Sequence, residues 1–193
     1  MRVLVFLLCL SVLTGCGVRI VRPVTLESHK RPTFDLKKIN KIAVLEASKG
    51  GQEQVGAADI MSLKLLDHGF NVIERSKIRD VMEENKLKIK DDQDVRVARE
   101  LGKLLNVNSI MIMGISELTQ SQQNIPGRFF KPPRIETVVS AGITARLVDI
   151  QTSEVIWVGA ATTQDKSMQK SLMRISNQMI ANITDKKIDD EED

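Results

Sequence analysis

The 193-residue chain has no tyrosine, one tryptophan and five phenylalanines, so aromatics make up only 3% of it. A surface that stacks single-stranded nucleic acid, or a cleft that holds a sugar, draws on more aromatic side chains than this. Histidine and cysteine number two each, His29 with His68 and Cys9 with Cys16. That is a poor supply for a metal centre, and His68 beside Gly69 reads as a helix-terminal residue meeting the end carbonyls. The chain lacks a Gly-x-Ser-x-Gly elbow, a phosphate-cradling Gly loop, a His-Glu-x-x-His pattern and any internal repeat. Glu83-Glu84 and Asp91-Asp92 stand among lysines and polar residues, which marks solvated surface and not acid–base chemistry. The expectation is a protein that is not an enzyme and holds no metal and no cofactor. The net charge of +3 is spread among acids, as in Arg75-Ser76-Lys77-Ile78-Arg79-Asp80, without the clustered basic face that nucleic acid requires.

Long apolar runs are also missing. The stretch Val3 to Leu10 after Arg2 is too short to span a bilayer, which needs about 20 apolar residues, and fits an export signal over residues 1–15. Leu13-Thr14-Gly15-Cys16 resembles the bacterial lipobox. That resemblance implies cleavage before Cys16 and a covalent lipid, palmitate among its acyl chains, on the Cys16 thiol as the only attached group. Cys9 then leaves with the signal, so neither disulfide nor free thiol remains and the fold rests on its core. Gly17 in place of an Asp after the lipobox implies onward transport to the outer membrane, with the body facing the periplasm.

From Cys16 to residue 38 no period is sustained, and Pro23 and Pro32 interrupt the segment, which reads as a flexible tether. The domain follows over residues 39–184. Lys41 to Leu45 and Phe70 to Ile73 read as short strands, and Ser109 to Ile115 as a strand covered on both faces, Met111 and Met113 in the core. Val55, Ala58, Met61 and Leu65 fit a helix capped at Gly69. A second helix carries Ile78, Val81 and Met82 after Ser76 as N-cap, and a third runs from Asp94 through Val95, Ala98, Leu101, Leu104 and Leu105. Residues 117–133 read as a long polar loop. Thr137 to Ile150 and Glu154 to Thr163 read as a hairpin. A last helix puts Met168, Leu172, Ile175, Met179 and Ile183 on one face, with Met173 and Ile180 widening it toward a partner. The acidic residues Asp189 to Asp193 fall in a solvated, disordered tail over residues 185–193. The expected fold is a single α/β (α+β) domain, a mixed sheet of about five strands packed with helices.

The candidate partner-binding feature is Arg128-Phe129-Phe130-Lys131, two aromatics flanked by cations inside the polar segment, since aromatic and Arg side chains dominate protein interfaces.

The blocks Lys41-Ile-Ala-Val-Leu45, Val72-Ile-Glu-Arg75 with Glu83-Glu84-Asn-Lys-Leu87, Ala98 to Leu105, Ile110-Met-Ile-Met-Gly114 and Ala145-Arg-Leu-Val-Asp149 together resemble the CsgG family. This family takes in the curli-secretion lipoprotein and is similar to FlgO-type and LpoB-type lipoproteins. The resemblance implies a membrane-anchored, non-enzymatic assembly factor whose partners are other envelope proteins, in a secretion, surface-appendage or peptidoglycan-synthesis complex, with homo-oligomers possible and nucleic acid excluded. The alternative is a ring-forming channel subunit. Against it, the segment Leu118 to Glu136, which corresponds to the first membrane hairpin, holds Pro126, Pro132 and Pro133 and shows no strand alternation. Thr152-Ser153-Glu154 stands where the family shows Thr-Gly-Glu, which places a residue other than Gly in the turn.

Overall fold

A computed structural model describes residues 23–32, 35–39, 41–47, 52–88, 95–127 and 132–186. The lipobox residues Leu13, Thr14, Gly15 and Cys16, the segment Arg128 to Lys131, the pair Asp91-Asp92, the cap Asp94 and the acidic tail from residue 187 onward lie outside the described residues.

Apolar residues on successive positions of a central strand must point to opposite faces, so each strand of that kind needs cover on both sides. The chain meets this with strands β1 (Thr25–Lys30), β2 (Lys41–Glu46), β3 (Asn71–Val72), β4 (Ser109–Ile125), β5 (Arg134–Asp149) and β6 (Val155–Asp165). Its helices are α1 (Gln52–Asp67), α2 (Arg75–Glu84), α3 (Val95–Leu105) and α4 (Met168–Thr184). The strands form one sheet in the order β1-β6-β5-β4-β2-β3, with β2 parallel to β3 and β4 and the other pairs antiparallel. This is a mixed sheet with helices against it, with one strand more than the sequence suggests.

Two cores lie on the two faces. Ile42, Val44, Met111, Met113, Ile143, Leu147 and Trp157 join Met61 and Leu65 of α1 and Leu172, Ile175, Met179 and Ile183 of α4 on the first face. Ala43, Leu45, Ile110, Ile112 and Val148 join Ile78 of α2 and Ala98, Leu101 and Leu105 of α3 on the second. The methionines Met111 and Met113 are core residues, fully buried. Ile180 is also fully buried in the first core, so it serves packing and not a partner. Met168, at the head of α4, is 38% exposed and leaves the buried stripe.

Gly69 closes α1 with φ +87°, as a left-handed cap requires, and His68 Nδ1 sits 3.0 Å from the Lys64 carbonyl oxygen. At α2 the cap is Glu74, two residues earlier than the expected Ser76. Its carboxylate accepts from the backbone N–H of Ser76 and Lys77 and from the Ser76 hydroxyl, so a carboxylate with two oxygens takes the role that a single hydroxyl would fill.

Strand β1 lies within the segment 16–38 that composition marks as a tether. It pairs with β6 from Thr25↔Thr162 to Lys30↔Trp157. Leu26 packs on the first core, Ser28 Oγ donates to Asn182 Oδ1 at 2.9 Å, and Lys30 Nζ donates to the Ile183 carbonyl at 3.2 Å. Thr25, Glu27 and His29 remain exposed, the polar outer face of an edge strand.

Candidate functional site

The most distinctive feature is the length of β4 and β5. Their pairing continues to Ile125↔Arg134, whereas β2 leaves β4 at Glu46↔Met113 and β6 leaves β5 at Val139↔Asp165. Beyond those points the two strands continue as a two-stranded ribbon. From Val139 to Arg134 it runs roughly 17 Å past the end of β6 at the usual rise per strand residue. The segment read from sequence as a polar loop is therefore hairpin over most of its length, with Pro126, Pro132 and Pro133 in the connection and not in the strands.

A β-bulge between Ile115 and Glu117 marks where the ribbon begins to leave the body. Gly142 faces it: a Cβ there would lie 2.6 Å from Ser116 Oγ and 3.3 Å from Glu117 Cβ, so a larger residue would have to turn the Ser116 hydroxyl aside and push on Glu117. The bulge also reverses the alternation. Met111, Met113 and Ile115 meet the first core before it and Leu118 after it, a spacing of three that hides the strand from a period-two reading.

Beyond the bulge one strand carries Thr119, Gln120, Ser121, Gln122, Gln123 and Asn124, and its partner carries Arg134, Ile135, Glu136, Thr137 and Val138. Arg134 pairs with Glu136 at 2.6 Å and Lys166 approaches the same carboxylate at 3.7 Å. Ile135 is 66% exposed. Among the described residues no strand lies along the outer edge of β4 past Met113 or of β5 before Val139, so backbone donors and acceptors there face outward.

At the base of the ribbon an open cleft of about 340 Å³ is lined by Pro23, Thr25, Glu117, Ser140, Thr162 and Gln164. Gln164 donates to Ser140 Oγ at 3.0 Å. The cleft opens on the second face of the sheet, which α2 and α3 cover only over β2, β4 and the far end of β5. It offers hydroxyls, an amide and a single carboxylate, a set suited to hydrogen bonding and without a paired base and nucleophile. No group of three metal-ligating side chains occurs among the described residues.

A second polar cluster ties β2 to the helices. Arg75 donates to Glu46 Oε2 at 2.7 Å and to Asp59 Oδ1 at 3.1 Å, while Glu46 Oε1 is buried without a hydrogen-bond partner. Burial raises the Glu46 carboxyl above its ordinary value of 4.5, more than the Arg75 guanidinium lowers it. At the opposite end of the sheet the turn after β5 is held by Asp149, whose Oδ1 accepts from Gln151 N and Thr152 N, each at 2.8 Å. Ser153 takes the left-handed conformation there with φ +63°. The turn thus keeps a backbone that suits glycine although the residue is serine. Arg31 and Glu154 form a two-point pair across this end.

The described helices include none long and apolar enough to cross a membrane. Residues 44–186 match the family model described as curli production assembly/transport component CsgG. The chain belongs to the CsgG family. Among solved structures this CsgG-family chain is similar to lipoprotein GNA1162 from Neisseria meningitidis, with TM-score 0.53, 18% identity, and 76% of this chain and 99% of that one covered. It is also similar to PelC from Paraburkholderia phytofirmans, solved as a dodecamer, with TM-score 0.51, 13% identity, and 81% and 96% covered. At these identities the likeness is one of fold. No curated protein matches the sequence.

Proposed function

We propose that this CsgG-family chain is a lipid-anchored accessory protein of the bacterial envelope, held through Cys16 at the periplasmic face of the outer membrane, that works by binding other envelope proteins and not by catalysis. The observation that carries the reading is the family match over residues 44–186 downstream of Leu13-Thr14-Gly15-Cys16. A solved relative in fold is itself named a lipoprotein, which supports the anchor, and another is a dodecamer, which supports self-association. Protein partners are assigned to the outward edges of the ribbon and to the uncovered sheet face, where strand edges lie without a neighbouring strand among the described residues. Arg128, Phe129, Phe130 and Lys131, in the connection between the ribbon's strands, stay as candidate contact residues.

Replacing Cys16 by Ser is expected to abolish lipid labelling and move the protein from the membrane to the soluble fraction. A photo-crosslinker in living cells at Gln120, on the ribbon, and another at Phe129 are expected to capture the same identified envelope protein from at least one site. Unchanged fractionation of the Cys16→Ser protein would refute the anchor. An anchored protein that captures nothing from either position would refute the binding role assigned to the ribbon.

The ring-forming channel has one observation in its favour, since the segment Leu118 to Glu136 does form a hairpin. Its composition argues the other way. A membrane strand alternates lipid-facing apolar residues over about 9 to 11 positions, and here one side carries Gln120, Gln122 and Asn124 while the other carries Thr119, Ser121 and Gln123. Discrete conductance steps from purified lipidated protein in planar bilayers would reverse this preference.

A further inference from the structure

Strand β1 is the end strand of the sheet, and among the described residues no strand lies on its outer side. Its ladder with β6 fixes which backbone groups face out. The Arg31 N–H donates to the Ile156 carbonyl at 3.0 Å, and along an antiparallel ladder the bonding groups alternate sides. Thr25, Glu27 and His29 therefore bond β6, while Leu26 and Ser28 aim their N–H and C=O groups away from it. Side chains alternate with the same period. Leu26 and Ser28 face the first core and the end of α4, whereas Thr25, Glu27 and His29 stand exposed on the other face.

These two parities leave few ways for a second copy to add its own β1. A two-fold axis normal to the sheet makes the two strands antiparallel and keeps each face with its like, so odd positions meet odd positions. With the axis at Ser28, that residue meets its own copy as a hydrogen-bonded pair, and Glu27 of each copy lies opposite His29 of the other. Those two fall at the positions without backbone bonds, where opposing Cα atoms approach to about 4.5 Å and side chains are closest. The carboxylate accepts from an imidazole N–H whether the ring is neutral or charged. Moving the axis by one residue sets Glu27 against Glu27 or His29 against His29. The polar residues that guard this edge against other strands thus fit one register of its own.

The rest of the body allows the pairing. Helix α4 packs mainly over β5 and β6, so the two copies of it stand at least three strand spacings, roughly 14 Å, apart, beyond the 8–10 Å at which helices touch. The two Thr25 ends point in opposite directions, but β1 is only roughly 20 Å long. The chain from Cys16 to Thr25 reaches roughly 30 Å when extended, so both lipids enter one leaflet. One strand edge is a small contact beside the roughly 1,200–2,000 Å² of a stable complex; confinement to a shared membrane offsets this by raising the effective concentration of the two edges.

We infer that β1 is a contact between two copies of this chain, paired antiparallel about Ser28 with Glu27 against His29 of the second copy. The inference rests on the self-association reading and not on the anchor. The contact is the same patch on both copies and closes at two, unlike the head-to-tail contact of a ring.

Glu27→Cys and His29→Cys are made in full-length lipidated protein, in which no other free thiol is expected. Both positions are exposed, so neither change disturbs the core. The two proteins, separately and mixed, are reconstituted in vesicles of phosphatidylethanolamine with a minority of phosphatidylglycerol and mildly oxidised. Positions 27 and 29 of opposite copies lie within the Cα range of a disulfide, while 27 with 27, or 29 with 29, lie on the diagonal at roughly 7–8 Å, beyond it. The expected result is several-fold more disulfide dimer in the mixture than in either protein alone. Charge gives a second measure. Energy transfer between copies labelled at Gln151→Cys should fall by more than half in Glu27→Lys and in His29→Glu, and return when the two are mixed. Bleaching steps of the same label count the copies. Equal disulfide yields in all three samples would overturn the inference, as would an in-cell photo-crosslink from position 27 to another protein with none to a second copy. More than two copies with no preference for the mixed pair would overturn it and leave self-association standing; single copies throughout would overturn both. Protein that does not float with the vesicles would refute the anchor, and the same three yields in concentrated solution would still decide the contact.

Discussion

The single tryptophan offers a sharp test of how the first core is closed. Trp157 is fully buried, and its indole N–H donates to Asn182 Oδ1 at 2.9 Å, the same oxygen that accepts from Ser28 Oγ on the edge strand at 2.9 Å. Asn182→Ala removes the shared acceptor. A buried donor left without a partner costs about 1–3 kcal/mol, and loss of the exposed Ser28 bond adds about 0.5 kcal/mol or less. Alanine returns about 0.6 kcal/mol of helix propensity. The net is a loss of about 0.5–3 kcal/mol, or a fall in Tm of roughly 1–12 °C for a domain of this size. Thermal unfolding read by circular dichroism gives the Tm, and tryptophan fluorescence reports this one site, because the chain has one tryptophan and no tyrosine. Native emission should shift to the red as water reaches the ring. Ser28→Ala is the control and should lower the Tm only slightly, with emission unchanged. If Asn182→Ala costs no more than Ser28→Ala and leaves emission where it was, the shared acceptor does not hold the ring and the reasoning fails.

The other predictions concern three separate points. Gly159→Ala places a Cβ 2.6 Å from Cζ2 and Cη2 of the Trp157 ring; a rigid indole cannot give way as an aliphatic side chain does, so equilibrium denaturation should show a loss of about 1–3 kcal/mol. Ser153→Gly relieves a left-handed φ and removes a buried hydroxyl without a partner, and after the entropy that glycine adds to the unfolded chain it should raise the unfolding free energy by about 0.5–1 kcal/mol, read as a higher denaturation midpoint at unchanged slope. Glu46 has its folded carboxyl pKa raised by burial. The native state therefore holds its proton more tightly than the unfolded chain, and stability from this group falls as pH rises from its ordinary value of 4.5 through the raised value. Glu46→Gln removes that decline, so the difference in Tm between variant and parent should move in favour of the variant between mildly acidic and neutral pH; a difference that stays flat would contradict it.

Where apolar residues recur at one regular period, structure and sequence agree. The helical spacing of Ala58, Met61 and Leu65, or of Leu172, Ile175, Met179 and Ile183, marks the buried faces of α1 and α4, and the unbroken run Ile110 to Met113 marks a strand covered on both sides. What stayed hidden lacks such a period. In β1 only Leu26 packs on the core, and its remaining hold comes from the ladder with β6 and from Ser28 and Lys30 bonding to the distant end of α4, contacts that no local pattern announces. The first strand of the ribbon is polar on both sides from Thr119 to Asn124 and follows a bulge that switches the alternation between Ile115 and Leu118, so its sequence has the look of a loop. Ile180 lies off the main stripe of α4 yet is buried, because α1 packs beside α4 and widens the covered face. Of the candidate site, the lipobox and the aromatic pair are visible as residue types, whereas the reach of the ribbon needs the registers of β4 on β5 and of β5 on β6.

The register of β1 on β6 has a mechanical meaning for a body moored by its N-terminus. With a lipid on Cys16, a pull between the bilayer and a partner gripping the domain would enter the sheet at the Thr25 end of β1, and its component along the strand loads the pairing with β6. Against that component all six register pairs with β6 share the load in shear, and none is peeled away ahead of the rest. The strand that composition passes over as slack line is the cleat to which the line is made fast.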